Sequence, residues 1–118
     1  MKRTKSLAAI TTIAILLLVI NGCKDCNDEN PRARVINNGK KEISVQIKTS
    51  GGNTENINNI PKNTSSEYRS FARGFTVFTI SVGSNNYETA FQMNECFEYD
   101  ISIDANNQIT TVPRDRND

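Results

Sequence analysis

The chain has 118 residues, 14 Lys+Arg against 13 Asp+Glu for a formal charge of +1, three cysteines and no histidine. That length supports one small domain and no second core. The near-neutral balance leaves no electrostatic footprint for nucleic acid, and the absence of histidine removes the commonest general base and the commonest zinc ligand.

Lys2, Arg3 and Lys5 give a positive start, and Leu7 to Ile20 is a 14-residue apolar run interrupted by Thr11 and Thr12. Spanning a bilayer takes about 20 such residues. The stretch reads as a cleaved signal peptide over residues 1–22, with Gly22 supplying the small residue that processing requires. Leu16-Leu17-Leu18-Val19-Ile20-Asn21-Gly22-Cys23 resembles the lipobox of bacterial lipoproteins. That resemblance implies a diacylglyceryl group on the Cys23 thiol, a cut just before it, and a protein held at the outer membrane by lipid. Processing removes 22 of the 118 residues and three of the 14 basic ones, leaving 96 residues with 11 basic against 13 acidic.

Residues 23–31 form a polar, lipidated tether, because Lys-Asp-Cys-Asn-Asp-Glu-Asn-Pro from Lys24 to Pro31 offers nothing to a core. Eight residues reach at most about 28 Å, so the domain sits close to its membrane. Asp25, Asp28 and Glu29 resemble the acidic export signal of surface-displayed lipoproteins, although a polar tether serves a periplasm-facing protein as well.

The domain, residues 32–113, reads as short alternating runs between Asn and Gly clusters, the signature of an all-β sandwich or barrel. Ala33 to Ile36 opens it, and Asn38-Gly39 predicts a hairpin turn because both residues tolerate positive φ. In Lys41 to Lys48, Ile43, Val45 and Ile47 face one way and Ser44, Gln46 and Lys48 the other. A weak strand follows at Thr54 to Ile57, then a loop from Asn58 to Asn63. Ser65 to Phe71 leads through Ala72-Arg73-Gly74 into Phe75 to Val82, which is apolar on both faces and predicts a central strand. Tyr87 to Met93 and Cys96 to Asp104 alternate cleanly, the latter with Glu98, Asp100 and Ser102 on a wet face. Gln108 to Val112 closes the domain at Pro113, and residues 114–118 form a charged tail.

The run Ser66 to Val82, with Phe97-Glu-Tyr-Asp-Ile-Ser-Ile103 after it, resembles an uncharacterised immunoglobulin-like or prealbumin-like domain family of bacterial envelope lipoproteins. The resemblance implies a fold and no known reaction. The expected fold is therefore an antiparallel β-sandwich of seven or eight strands.

No catalytic or metal-binding constellation stands out. Glu98 and Asp100 share a strand face without an implied pocket, and the spacing of Asp104-Ala105-Asn106-Asn107 matches no calcium loop. Cys26 and Cys96 lack an activating base. Tyr68, Phe71, Phe75 and Phe78 are expected in the core, because a small domain needs its aromatics inside. No cofactor is implied.

Strand parity makes two further predictions. Successive antiparallel strands alternate direction, so the start of the first strand shares an end with the loops at Ser50 to Asn53, Ala72 to Gly74 and Met93 to Cys96. Cys26 and Cys96 then meet in a disulfide, which an exported compartment permits. The opposite end points away from the membrane, and each of its loops carries an asparagine pair. Asn58, Asn59, Asn85 and Asn86 are the candidate residues for a polar ligand such as a glycan, since binding residues sit on loops held by a rigid scaffold. The functional expectation is a non-enzymatic binding or structural module of the envelope, with membrane attachment through lipid and a glycan or an envelope protein as partner. The alternatives are an inhibitor or immunity-type lipoprotein and a small surface hydrolase.

Overall fold

A five-stranded and a four-stranded sheet form a β-sandwich in the computed structural model, which describes residues 26–117. The signal peptide expected over residues 1–22, together with Cys23, Lys24 and Asp25, lies outside the described residues, as does Asp118. The strands in chain order are β1 (Arg32–Asn38), β2 (Ile43–Lys48), β3 (Thr54–Ile60), β4 (Thr64–Ser65), β5 (Arg69–Ser70), β6 (Gly74–Val82), β7 (Asn85–Met93), β8 (Phe97–Asp104) and β9 (Ile109–Asp115). One sheet has the order β4-β1-β8-β9, with β5 also pairing β1; the other has the order β3-β2-β6-β7.

The period-2 pattern decides which side chains meet between the sheets. Ala33 and Val35 of β1 and Tyr99, Ile101 and Ile103 of β8 face Ile43, Val45 and Ile47 of β2 and Phe78 and Ile80 of β6, all of them buried. Phe78 is the largest fully buried side chain. Its ring stacks on Phe91 at 5.6 Å between centroids and meets Phe71 edge-on at 6.2 Å. Phe71 and Phe78 are thus in the core as expected. Phe75 is 58% exposed on the outer face of β6, and Tyr68 lies outside the core over the other sheet. In a strand apolar on both faces, alternation cannot tell the inner row from the outer one.

The sandwich is the expected architecture, with one pair that departs from antiparallel: β1 runs parallel to β8, from Arg32 opposite Glu98 to Asn38 opposite Asp104. An immunoglobulin arrangement keeps its first two strands in one sheet. Here β1 and β2 belong to different sheets, so of the two expected topologies the order is prealbumin-like. For the same reason Asn38-Gly39 is no hairpin turn. It is a crossover between sheets, closed by Asn37, whose Oδ1 accepts the Gly39 N–H at 2.9 Å. The Asn37 Nδ2 donates to the carbonyls of Lys41 and Ile60, so this fully buried amide has partners at both ends.

Three boundaries also differ. Strand β3 runs on to Ile60, so Asn58 and Asn59 lie within it and not in a loop, and Asn59 has φ 59° beside an irregularity in the β2 register. The expected strand at Ser65 to Phe71 is split into β4 and β5 around Tyr68. Strand β9 extends through Pro113 to Asp115, so Arg114 and Asp115 belong to the sheet and not to a tail. Gly74 starts β6 at φ 123°, where a Cβ would lie 2.5 Å from Ser50 Oγ, the hydroxyl that donates to the Arg73 carbonyl. That site requires glycine.

Candidate functional site

The two ends of the sandwich have different chemistry. At the end where β1 begins, Cys26 and Cys96 are joined, with 5.6 Å between their Cα atoms. The parity argument brings them together because strand directions alternate as expected once β4 and β5, which both run antiparallel to β1, are counted as one broken strand. The Cys96 N–H donates to the Glu29 carbonyl at 2.9 Å, and Arg116 pairs with the Glu29 carboxylate at 2.9 Å. Pro31 is fully buried. The segment from Cys26 to Pro31, part of the expected tether, is thus sewn onto the domain.

The opposite end carries a cleft of about 150 Å³ where the two sheets part. Ile43, Val82 and Ile103 form its apolar floor, and Lys41, Asn85, Asp104 and Asn107 stand on its polar rim. Asn107 sits at φ 63° and its Nδ2 donates to Tyr87 Oη at 3.1 Å, which fixes the amide against β7. Asp104 Oδ1 accepts the N–H groups of Asn106 and Gln108. That carboxylate therefore closes its own turn.

The four asparagines singled out from sequence do not form one surface. Asn85 is on the cleft. Asn86 accepts the Ser81 hydroxyl at 2.8 Å at the outer side of its sheet. Asn58 and Asn59 line a separate lateral groove of about 280 Å³ with Ser66, Glu67 and Arg69. Asn37 and Asn107 line the cleft beside Asn85. The signal is present in the sequence as four asparagine pairs at one end, but choosing among them requires the strand bounds and sheet membership, since three of the pairs lie in β1, β3 and β7.

The outer face of the β1-containing sheet holds a cluster that sequence reading took for a wet surface. Arg34 makes a bidentate contact with Asp100, at 2.9 and 3.2 Å. Arg32 and Arg114 each donate from Nε to Glu98 at 2.7 Å, on opposite carboxylate oxygens. The Tyr68 ring lies over both guanidinium groups, 5.1 Å from Arg32 and 4.8 Å from Arg34, and its hydroxyl donates to Asp100 at 2.6 Å. Glu98, with 8% exposure, is buried and not on a wet face.

Burial pushes the Glu98 carboxyl up, but hydrogen bonds from Arg114 and Arg32 outweigh it and leave it below its ordinary value. The hydrogen bond from Arg34, opposed by burial and aided by Tyr68, lowers Asp100. Burial first, and then the bond to Asp100, raises Tyr68, which therefore stays a donor. Both carboxylates are held ionised by the arginine side chains beside them, so neither has a proton to donate near neutral pH. The cluster ties β1, β8 and β9 together.

Its pH dependence follows from those directions. Both carboxylates bind protons less tightly folded than unfolded, so their stabilisation is complete above the ordinary carboxylate range and is lost as pH falls through and below it. The urea midpoint should decline as pH is lowered from about 5 toward 3. Glu98→Gln should lower the midpoint at neutral pH and make that acid decline shallower. An unchanged acid slope in Glu98→Gln would remove Glu98 from the account.

Among the described residues no group of three or more Cys, Asp or Glu side chains is placed to hold a metal ion. No family model and no curated protein sequence matches the chain. Its fold is similar to the NMR structure of a protein from Eubacterium rectale, with a TM-score of 0.53 and 18% identity over 77% of this chain and 93% of that one. At that identity the likeness is one of fold alone.

Proposed function

We propose that this chain is a lipid-anchored envelope lipoprotein that acts as a non-enzymatic binding module, tethered through Cys23 and taking a polar ligand, a glycan, in the cleft at the far end of the sandwich. The supporting observation is the separation of the two ends. The disulfide fastens the segment that follows Cys23 to one end, and the cleft with its apolar floor and amide rim opens at the other. A sugar ring has an apolar face and a hydroxyl edge. Ile43, Val82 and Ile103 suit the first, and Asn85, Asn107 and Lys41 suit the second.

With Cys23 acylated, only Lys24 and Asp25 lie between lipid and cross-link. Several acyl chains, at about 0.8 kcal/mol per buried CH₂, anchor stably where one chain does not. In cells fed labelled palmitate, the parent should incorporate label and Cys23→Ala should not, and the variant should leave the membrane fraction or accumulate unprocessed. A processed, membrane-bound Cys23→Ala protein would refute the anchor. The ligand reading is tested separately by electrophoresis through gels cast with purified envelope polysaccharides. Asn85→Ser combined with Lys41→Gln should abolish any retardation of the parent without moving its melting temperature, whereas retained retardation would exclude the cleft.

A further inference from the structure

A β-sandwich exposes four edges, and natural sheets protect edges with short strands, bulges, prolines or charge. Three edges here are protected. Strands β4 and β5 are two residues each and interrupted. Strand β3 is irregular at Asn58-Asn59, and Arg69 Nη1 reaches across to occupy the Asn56 carbonyl at 3.3 Å. Strand β9 carries Pro113, Arg114 and Asp115.

Strand β7 is protected by none of these devices. It is nine residues long, Asn85 to Met93, and pairs with β6 without a break from Gly74↔Met93 to Val82↔Asn85. It contains no proline, glycine, lysine or arginine, and Glu88 is its one charge. Among the described residues its other edge has no partner.

The core leaks at the same place. On the flank closed by β3 and β5, Ile57, Ile60 and Phe71 are 7%, 4% and 3% exposed. On the flank where β7 lies beside β9, Tyr87, Phe91 and Ile109 pack against the core but remain only partly buried. An unguarded edge and half-covered aromatic side chains coincide on one flank.

We propose that this edge joins a second copy of the chain, β7 against β7 in antiparallel register about a twofold axis at Thr89. A twofold contact must be self-complementary, and the residues of β7 are so in this register. Tyr87 falls opposite Phe91 of the second copy, twice by symmetry, and Thr89 falls opposite Thr89. Asn86 meets Gln92, and Glu88 meets Ala90. Aromatic pairs and Thr–Thr pairs are favourable across strands, and like charges directly opposite are not. Centring the axis one residue earlier would set Glu88 against Glu88, so that register is disfavoured. The four partly buried aromatics cover one another, and the two four-stranded sheets become one of eight strands. The pairing rests on this edge and not on the lipid reading. Because it is antiparallel, it sets the two Cys26 ends at opposite ends of the joined sheet; two copies anchored in one bilayer would lie with their strands along its surface.

The test is sedimentation equilibrium of the purified full chain in density-matched detergent. The parent should dimerise. Ala90 is exposed, so its replacement leaves the fold intact, and it sits opposite Glu88 of the second copy in two equivalent pairs. Ala90→Glu should weaken the dimer about tenfold and Ala90→Lys should tighten it by a comparable factor. Opposite signs from one position specify both the edge and the register. A parent that stays monomeric at millimolar concentration would overturn the proposal. So would a dimer that the two substitutions shift in the same direction, or do not shift at all.

Discussion

Phe78→Ala should destabilise the domain by about 4 kcal/mol, in the range found for a fully buried phenylalanine cut to alanine. Three observations set the size of the effect. Phe78 is at 0% exposure, its ring contacts Phe71 and Phe91 from two sides, and its strand is interior to its sheet between β2 and β7. The neighbours cannot collapse into the space. Val45 and Ile47 are held in register by β2, and Tyr99 is fixed because its hydroxyl accepts the Asn94 N–H at 2.9 Å. A rigid site relaxes little, so the cavity persists and the cost lies above that of transfer alone. Phe75→Ala, three residues earlier on the outer face, removes the same atoms from a site already 58% exposed and should change stability by less than about 1 kcal/mol. Equilibrium urea denaturation of the pair reads the contrast directly. A larger loss at Phe75 than at Phe78 would mean that β6 presents its faces the other way round.

That pair of residues also shows where sequence reading ends. Ile43, Val45 and Ile47 alternate with polar residues, so the buried row of β2 is legible without a structure. In β6, Phe75, Val77, Phe78 and Ile80 give both faces apolar members, and only the pairing with β2 identifies Phe78 and Ile80 as inner. Strand direction is legible as well, since each chain reversal flips it, and that sufficed to bring Cys26 to Cys96. Sheet membership is not. Whether the chain after Asn38 turns back beside β1 or crosses to the other layer is settled by long-range pairings, among them β1 with β8 and β2 with β6, and the Asn37 amide that closes the crossover meets the carbonyl of Ile60, 23 residues away.

The charged cluster was hidden for a related reason. Glu98 and Asp100 alternate with buried residues, and such a row ordinarily faces water. Their partners come from elsewhere: Arg32 and Arg34 from β1, which lies beside β8 only through the parallel pairing, and Tyr68 from the break between β4 and β5. The end cleft is the intermediate case. Its asparagine pairs are visible in the sequence, and their sorting between cleft, groove and outer face depends on where the strands end and which sheet each joins.

Breaking the Cys26–Cys96 cross-link should also cost on the order of 4 kcal/mol. The two cysteines are 70 residues apart, and in the chain-entropy model closing a loop of about that size lowers the entropy of the unfolded chain by an amount equivalent to roughly 4 kcal/mol at 25 °C. The cost acts on the unfolded ensemble, so the reduced protein should keep the same native strands and exchange pattern while its denaturation midpoint falls and its denaturant slope rises with a less compact unfolded state. Cys26→Ala and Cys96→Ala should each produce most of the loss, and the double substitution little more, since either one opens the loop. Cys96 adds a backbone effect of its own. Its φ of 61° lies in the left-handed region that glycine adopts freely, so Cys96→Gly should be less harmful than Cys96→Ala by up to about 1 kcal/mol. Urea melts of the oxidised, reduced and substituted proteins, with thiols counted by alkylation, measure all of these. Cys26 and Cys96 both alkylatable in the purified, unreduced protein, or a midpoint indifferent to reduction, would mean that the segment from Cys26 to Pro31 is held by the Glu29 contacts to Cys96 and Arg116 without a covalent link.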